Sequence, residues 1–132
     1  LRIEDALYTH LSSYAGLSAL VSSRIHPVIV PQEGILPAVT YHKVSGQRVH
    51  TFQADPGVAQ PRFRISSWAS GYSEAKDVAD QIRNALQDFS GVMGGTGGVP
   101  VPSVRLENER DKYECETGRY HVDVDFTIFH EE

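Results

Sequence analysis

The sequence predicts an α+β domain in two layers: a four-stranded, mainly antiparallel sheet with two main helices packed on one face, in the order α-β-β-α-β-β. Two periodicities carry this reading. Tyr120, Val122, Val124, Phe126 and Ile128 alternate without a break with His121, Asp123, Asp125 and Thr127, the period of two expected of a strand with one buried face. Ala75, Val78, Ala79, Ile82, Leu86 and Phe89 recur instead at helical spacing, an apolar stripe that needs a sheet face to cover. The charged run 109–120 then turns one strand into the last, so the final two strands form a hairpin.

Each element has its own grounds. Ile3, Ala6, Leu7, Leu11 and Tyr14 predict a first helix over 2–14, with Glu4 and Asp5 near the positive end of its dipole and Gly16 to end it. Leu17, Leu20 and Val21 make a second short apolar turn. His26 to Pro31 is bracketed by prolines and can be at most a short edge strand. Pro37 opens a strand over 38–44 with Val39 and Tyr41 on one face. Gly46, Pro56, Gly57 and Pro61 interrupt regular structure over 45–61, which reads as a mobile loop. The returning strand, 62–69, sets Phe63 and Ile65 on one face and Arg62, Arg64 and Trp68 on the other. Ser73 is placed to cap the long helix, Glu74 falls in its first turn, and the helix runs to near Phe89. The glycine-rich stretch 91–98 reads as a linker, after which Val104 and Leu106 alternate with Arg105 and Glu107 on the strand that pairs with 119–129. By parity Trp68 and Phe129 lie on the face the helices leave uncovered, and such a face in a small domain often awaits another subunit.

A chain of 132 residues, 40% hydrophobic and 22% charged, forms a single globular domain, 1–132, with one ordinary core. Its net charge of −5 argues against a protein that grips nucleic acid through its overall field. No apolar run approaches the roughly 20 residues that span a membrane, and no signal peptide is recognisable. The chain opens on Leu1 rather than Met, so a short N-terminal stretch is expected before it. A single cysteine, Cys115, excludes an internal disulfide and a cysteine-built zinc cluster.

His121, Asp123 and Asp125 project from one strand face about 7 Å apart, and Glu107 and Glu109 are expected to face the same way on the paired strand. Carboxylates clustered with an imidazole are the ligand set of a divalent-metal phosphodiesterase. Against that, the strand offers no lysine to stabilise a leaving phosphate, and Arg105 and Arg119 can neutralise the carboxylates across the ladder. A polar face at a subunit interface or lining a lumen is the stronger reading. The glycine run is no phosphate loop, because Val99-Pro100-Val101-Pro102 follows it instead of a Lys-Ser/Thr pair opening a helix. There is no HExxH and no Gly-x-Ser-x-Gly, and Glu114 and Glu116 disfavour a thiolate at Cys115. No catalytic residue, metal or cofactor is therefore expected. Arg48, Val49, His50 and Phe52, within the 45–61 loop, suit an arm that orders against a partner, Phe52 serving as its apolar anchor.

With these elements placed, the chain resembles the tail-completion, or tail-terminator, proteins of long-tailed bacteriophages and prophages. The resemblance rests on Gly16-Leu17-Ser18-Ala19-Leu20-Val21 with Arg24-Ile25-His26-Pro27, on Leu36-Pro37-Ala38-Val39-Thr40-Tyr41, and on Arg64-Ile65-Ser66-Ser67-Trp68-Ala69 before Tyr72-Ser73-Glu74-Ala75. Its most distinctive part is the hairpin, with Arg110, Asp111 and Tyr113 leading to Glu116, Arg119 and Tyr120. The resemblance implies a structural virion protein and not an enzyme. It implies a homo-oligomeric ring, usually a hexamer, that ends the tail tube and meets the head-side connector at the neck, after assembly in the host cytoplasm. Its partners would be the tail-tube protein and the connector, with DNA passing through unbound and no membrane involved. Another neck adaptor, between portal and tail, is the alternative within the same setting. Deleting residues 47–58 is expected to leave the monomer folded and to weaken assembly, read by sedimentation of the variant with its partners.

Overall fold

Four stretches of apolar patterning close on one core. The computed structural model describes residues 2–30, 35–45, 58–87, 89–95 and 97–131. α1 (Ile3–Ser13) buries Ile3, Ala6, Leu7 and Leu11, and Asp5 in its first turn accepts the Arg2 backbone N–H at 3.3 Å. The helix ends at Tyr14, whose backbone is extended, and not at Gly16, which falls inside α2 (Ala15–Val21). β1 (Ile25–Pro27) runs parallel to β2 (Ala38–Ser45) as a three-residue edge, as its prolines allow.

β3 (Val58–Ala59) and β4 (Arg62–Ala69) are two stretches of one strand. Both keep the same antiparallel register against β8 (Arg119–Glu131). Pro61 interrupts them because it has no N–H to give, yet its carbonyl still accepts the Ile128 N–H at 3.0 Å. Regular structure thus reaches back into the 45–61 loop, and a deletion that spares the ladder must end at residue 57. Residues 46–57, with Arg48, Val49, His50 and Phe52, lie outside the described residues.

α3 (Tyr72–Leu86) buries Ala75, Val78, Ala79, Ile82 and Leu86. Its N-cap is Gly71, not Ser73, and it stops at Leu86, three residues short of Phe89. Phe89 still packs, edge-on to His10 at 4.6 Å between ring centres. The glycine run expected as a linker is the turn of a small hairpin between β5 (Gly91–Met93) and β6 (Val99–Val101). Gly94, Gly95 and Gly97 supply the positive φ angles of that turn, and Met93, Val99 and Val101 join the core.

β7 (Ser103–Glu114) and β8 form the long hairpin. Pairing continues to Glu114 opposite Arg119, so Arg110, Asp111 and Tyr113 are strand residues and only 115–118 turn. Gly118, at φ 68°, closes that turn by donating its N–H to the Glu114 carbonyl. The main sheet is therefore mixed and five strands wide, β1-β2-β4-β8-β7, with β3 extending β4 and three helices on one face. The expected four antiparallel strands and two main helices are all present within it. The short apolar turn and the proline-bracketed edge expected beside them are α2 and β1; the additions are the split strand and the small hairpin, each too short to show a period.

Phe63, Ile65, Val122, Val124, Phe126 and Ile128 supply the sheet side of the core. Phe126 is fully buried between β4 and β7, opposite Phe63 and Leu106. Phe126→Ala is expected to cost about 3–5 kcal/mol in chemical denaturation, through lost transfer energy and the cavity left behind.

Candidate functional site

The uncovered face of the sheet is where this chain concentrates its buried charge. Because opposed residues share a face, β4 contributes Arg62, Arg64, Ser66 and Trp68 against Thr127, Asp125, Asp123 and His121 of β8. β7 contributes Arg105, then Asn108, Arg110 and Lys112. Among the described residues no helix or strand packs over this face.

Asp125 lies at its centre, 2% exposed. Arg64 grips it through Nε to Oδ1 at 2.9 Å and Nη2 to Oδ2 at 3.2 Å, and Arg62 adds Nη2 to Oδ2 at 3.0 Å. This is the bidentate fork that matches a guanidinium to a carboxylate. Two residues along, Asp123 accepts from the Ser66 hydroxyl at 2.7 Å, lies 2.9 Å from Nδ1 of His121, and has the Lys112 ammonium at 3.6 Å. His121 stacks on Trp68 with ring centres 4.3 Å apart, and the indole N–H donates to Thr40 at 2.9 Å.

Burial works against ionisation of both carboxylates. The hydrogen bonds and positive charges around them outweigh it, so both are held below the ordinary 3.8. For Asp125 the opposing contacts are from Arg64 and Arg62; for Asp123 they are Ser66, His121 and Lys112.

The five acidic and imidazole residues expected on one face do not stay together. Glu107 sits at a β-bulge, where the β7 register shifts by one residue between Leu106 and Asn108. A one-residue shift sends every later side chain to the opposite face. Glu107 remains on the uncovered face, accepting from Arg105 at 2.7 Å and from Thr127 at 3.0 Å. Glu109 instead faces the helices, where Arg83 reaches it at 3.4 Å and Lys76 at 3.7 Å. Asp111 follows it, accepting from the Tyr72 hydroxyl at 2.6 Å and from Lys76 at 3.2 Å.

These contacts take up the oxygens a divalent ion would need, and no group of three His, Cys, Asp or Glu able to hold a metal occurs among the described residues. The neutralising cations also differ from those expected. They are Arg62, Arg64 and Lys112, while Arg105 serves Glu107. The β4 arginines were legible as facing this way; their reach to Asp125 required the strand order.

One consequence inverts the expected character of the face. Among the side chains the structure describes, six cations belong to it by register, Arg62, Arg64, Arg105, Arg110, Lys112 and Arg119, and four anions, Glu107, Glu114, Asp123 and Asp125. The two aspartates are buried, whereas Lys112 and Arg105 side chains are 46% and 67% exposed. Solvent meets a basic layer laid over buried acids. Sequence reasoning also missed a notch of about 370 Å³ beside β1, lined mainly by Pro27, Val28, Tyr41, His42 and Phe63, with Val28 and Ile29 exposed next to it.

Because Asp123 and Asp125 have lowered values in the fold, their ionised forms stabilise it at any pH above their unfolded values. That contribution is lost as pH falls below 3.8 and through the lower folded values. Urea melts near pH 7 and near pH 3 should therefore show a marked loss of stability on acidification. Asp125→Asn should cost about 2–4 kcal/mol at neutral pH and flatten the acid dependence, since it leaves two arginines facing an uncharged group.

Comparison with known proteins agrees with this architecture. A family model described as tail completion protein gp17 matches residues 5–131. A chain of the "Virion of native gene transfer agent (GTA) particle" superposes with a TM-score of 0.81 at 19% identity, over 98% of this chain and 95% of that one. At that identity the likeness is one of fold. No curated protein matches. The family model spans every element from the first turn of α1 to the end of β8, including the bulged hairpin and the uncovered face, and the chain belongs to the tail completion protein gp17 family.

Proposed function

We propose that this protein forms a closed ring, a hexamer on the family pattern, that terminates the tail tube and joins the tail to the head connector, with no catalytic role. The observation that carries it is the family match over residues 5–131. The physics of the domain supports it. Among the described residues, most charged groups of the uncovered face are committed to one another and form no open catalytic constellation. A ring demands two different surfaces that meet around a closed rotation, and this two-layer slab has a helical back and a bare sheet front. DNA passes through such a ring without specific contacts, in keeping with the net charge of −5. The 46–57 segment, through Arg48 and Phe52, and the β7–β8 hairpin tip with Glu116 are the surfaces offered to tube and connector.

Purified protein, alone and mixed with tail-tube protein, should yield particles with rotational symmetry in electron micrographs. Labelled protein should mark the head-proximal end of assembled tails. A persistent monomer in both mixtures, or label distributed along the tube, contradicts the proposal.

A further inference from the structure

Unpaired cations on the uncovered face and unpaired anions on the outer side of α3 point to how copies meet. We infer that the bare sheet face of one copy seats on the outer surface of α3 of the next, an inference that rests on the ring reading. Most cations of the face are spoken for by Asp123, Asp125 and Glu107. Arg110 and Arg119 have no ionic partner among the described residues, and both belong to this face by register. On the other side of the slab, Glu74 and Asp77 are exposed on the first two turns of α3, one helical turn apart, and they too have no ionic partner among the described residues. Two uncompensated cations on the front therefore answer two uncompensated anions on the back.

Size and shape agree. β2, β4, β7 and β8 over eight residues each, with the three residues of β1, present roughly 550 Å² at about 4.8 Å between strands, the larger part of the about 800 Å² that one partner contributes to a standard interface. Toward one end of the central strand β4, the Trp68 indole, half-buried and held by Thr40 and His121, gives a rigid aromatic platform of the kind that anchors interfaces. Front-to-back stacking is a heterologous contact, the kind that builds a ring where its rotation closes and that does not stop at a dimer. Double-stranded DNA is the less fitting occupant, because two unpaired cations among the described residues release few counterions.

The test is charge reversal with rescue in the full chain. Arg110→Glu with Arg119→Glu, and separately Glu74→Lys with Asp77→Lys, should each weaken self-association in sedimentation equilibrium by about tenfold or more, with unchanged thermal melts. Combining all four should restore association to near the wild-type level. Association untouched by either reversal, or not recovered in the combination, overturns the contact while leaving the ring reading intact. Wild-type protein that stays monomeric alone and with tail tubes overturns both. Wild-type retention of a DNA duplex at moderate salt, abolished by the arginine reversals, would assign the face to DNA and overturn the contact.

Discussion

The clamp of Arg64 and Arg62 on Asp125 sets the terms for one whole side of this molecule. β8 has neighbours along both flanks, β4 and β7, so any side chain at its middle is covered from two directions. A carboxylate in that position is largely cut off from water and must be paired or neutralised. The partners can come only from strands within reach. β4 supplies two guanidinium groups to Asp125 and a hydroxyl to Asp123, and β7 supplies Lys112. Once those cations are folded over the acids they become the outer layer. The alternation that puts Val122, Val124 and Phe126 into the core thus also fixes a basic coat on the reverse side.

The bulge at Glu107 is the second constraint, and it links the two faces. Without the extra residue, Glu109 and Asp111 would join a face that already carries Asp123 and Asp125. With it, they turn to the helices and meet Lys76, Arg83 and Tyr72. These pairs are partly exposed, and each contributes little to stability by itself. Their effect is positional: they tie the outer strand to α3, while Ser67 on β4 donates to the Ala75 carbonyl in the first turn of the same helix. α3 is thereby registered on the sheet by polar contacts along its sides as well as by its apolar stripe.

Long periodic elements were legible from sequence because many residues repeat one signal. β8, β4 and α3 lay where alternation and helical spacing put them, and the buried faces of all three were assigned correctly. Short elements were legible only in part: α2 as an apolar turn and β1 as a proline-bracketed edge, but not β3 or the small hairpin. β3 is two residues long, and its existence depends on β8 extending past it. The small hairpin pairs Gly91–Met93 with a proline-flanked segment through a turn whose glycines look the same in a linker. Glu109 was misplaced for a more instructive reason: Val104, Leu106 and Glu107 carry no mark of a bulge, and parity counted through it inverts. On the uncovered face, sequence showed the acidic residues and their common direction. It could not show that guanidinium groups from a strand some sixty residues earlier would cover them, which is a property of strand order.

A slab whose two sides are chemically opposite is suited to polar assembly, and the source of that opposition matters. If the basic face were made of free lysines it would attract any polyanion and bind loosely. Here four of the six cations are already paired, three of them with buried acids, which fixes their geometry and leaves few free charges on the face. The entropy of ordering those side chains is met during folding, so a partner that docks on the face need not meet it again. The residual charge is enough to orient a weakly attracted neighbour and to disfavour front-to-front pairing, where Arg110 and Arg119 would oppose their own copies. On the ring reading, the buried aspartates thus act through their counter-ions: they hold a pre-ordered surface whose polarity favours one direction of growth.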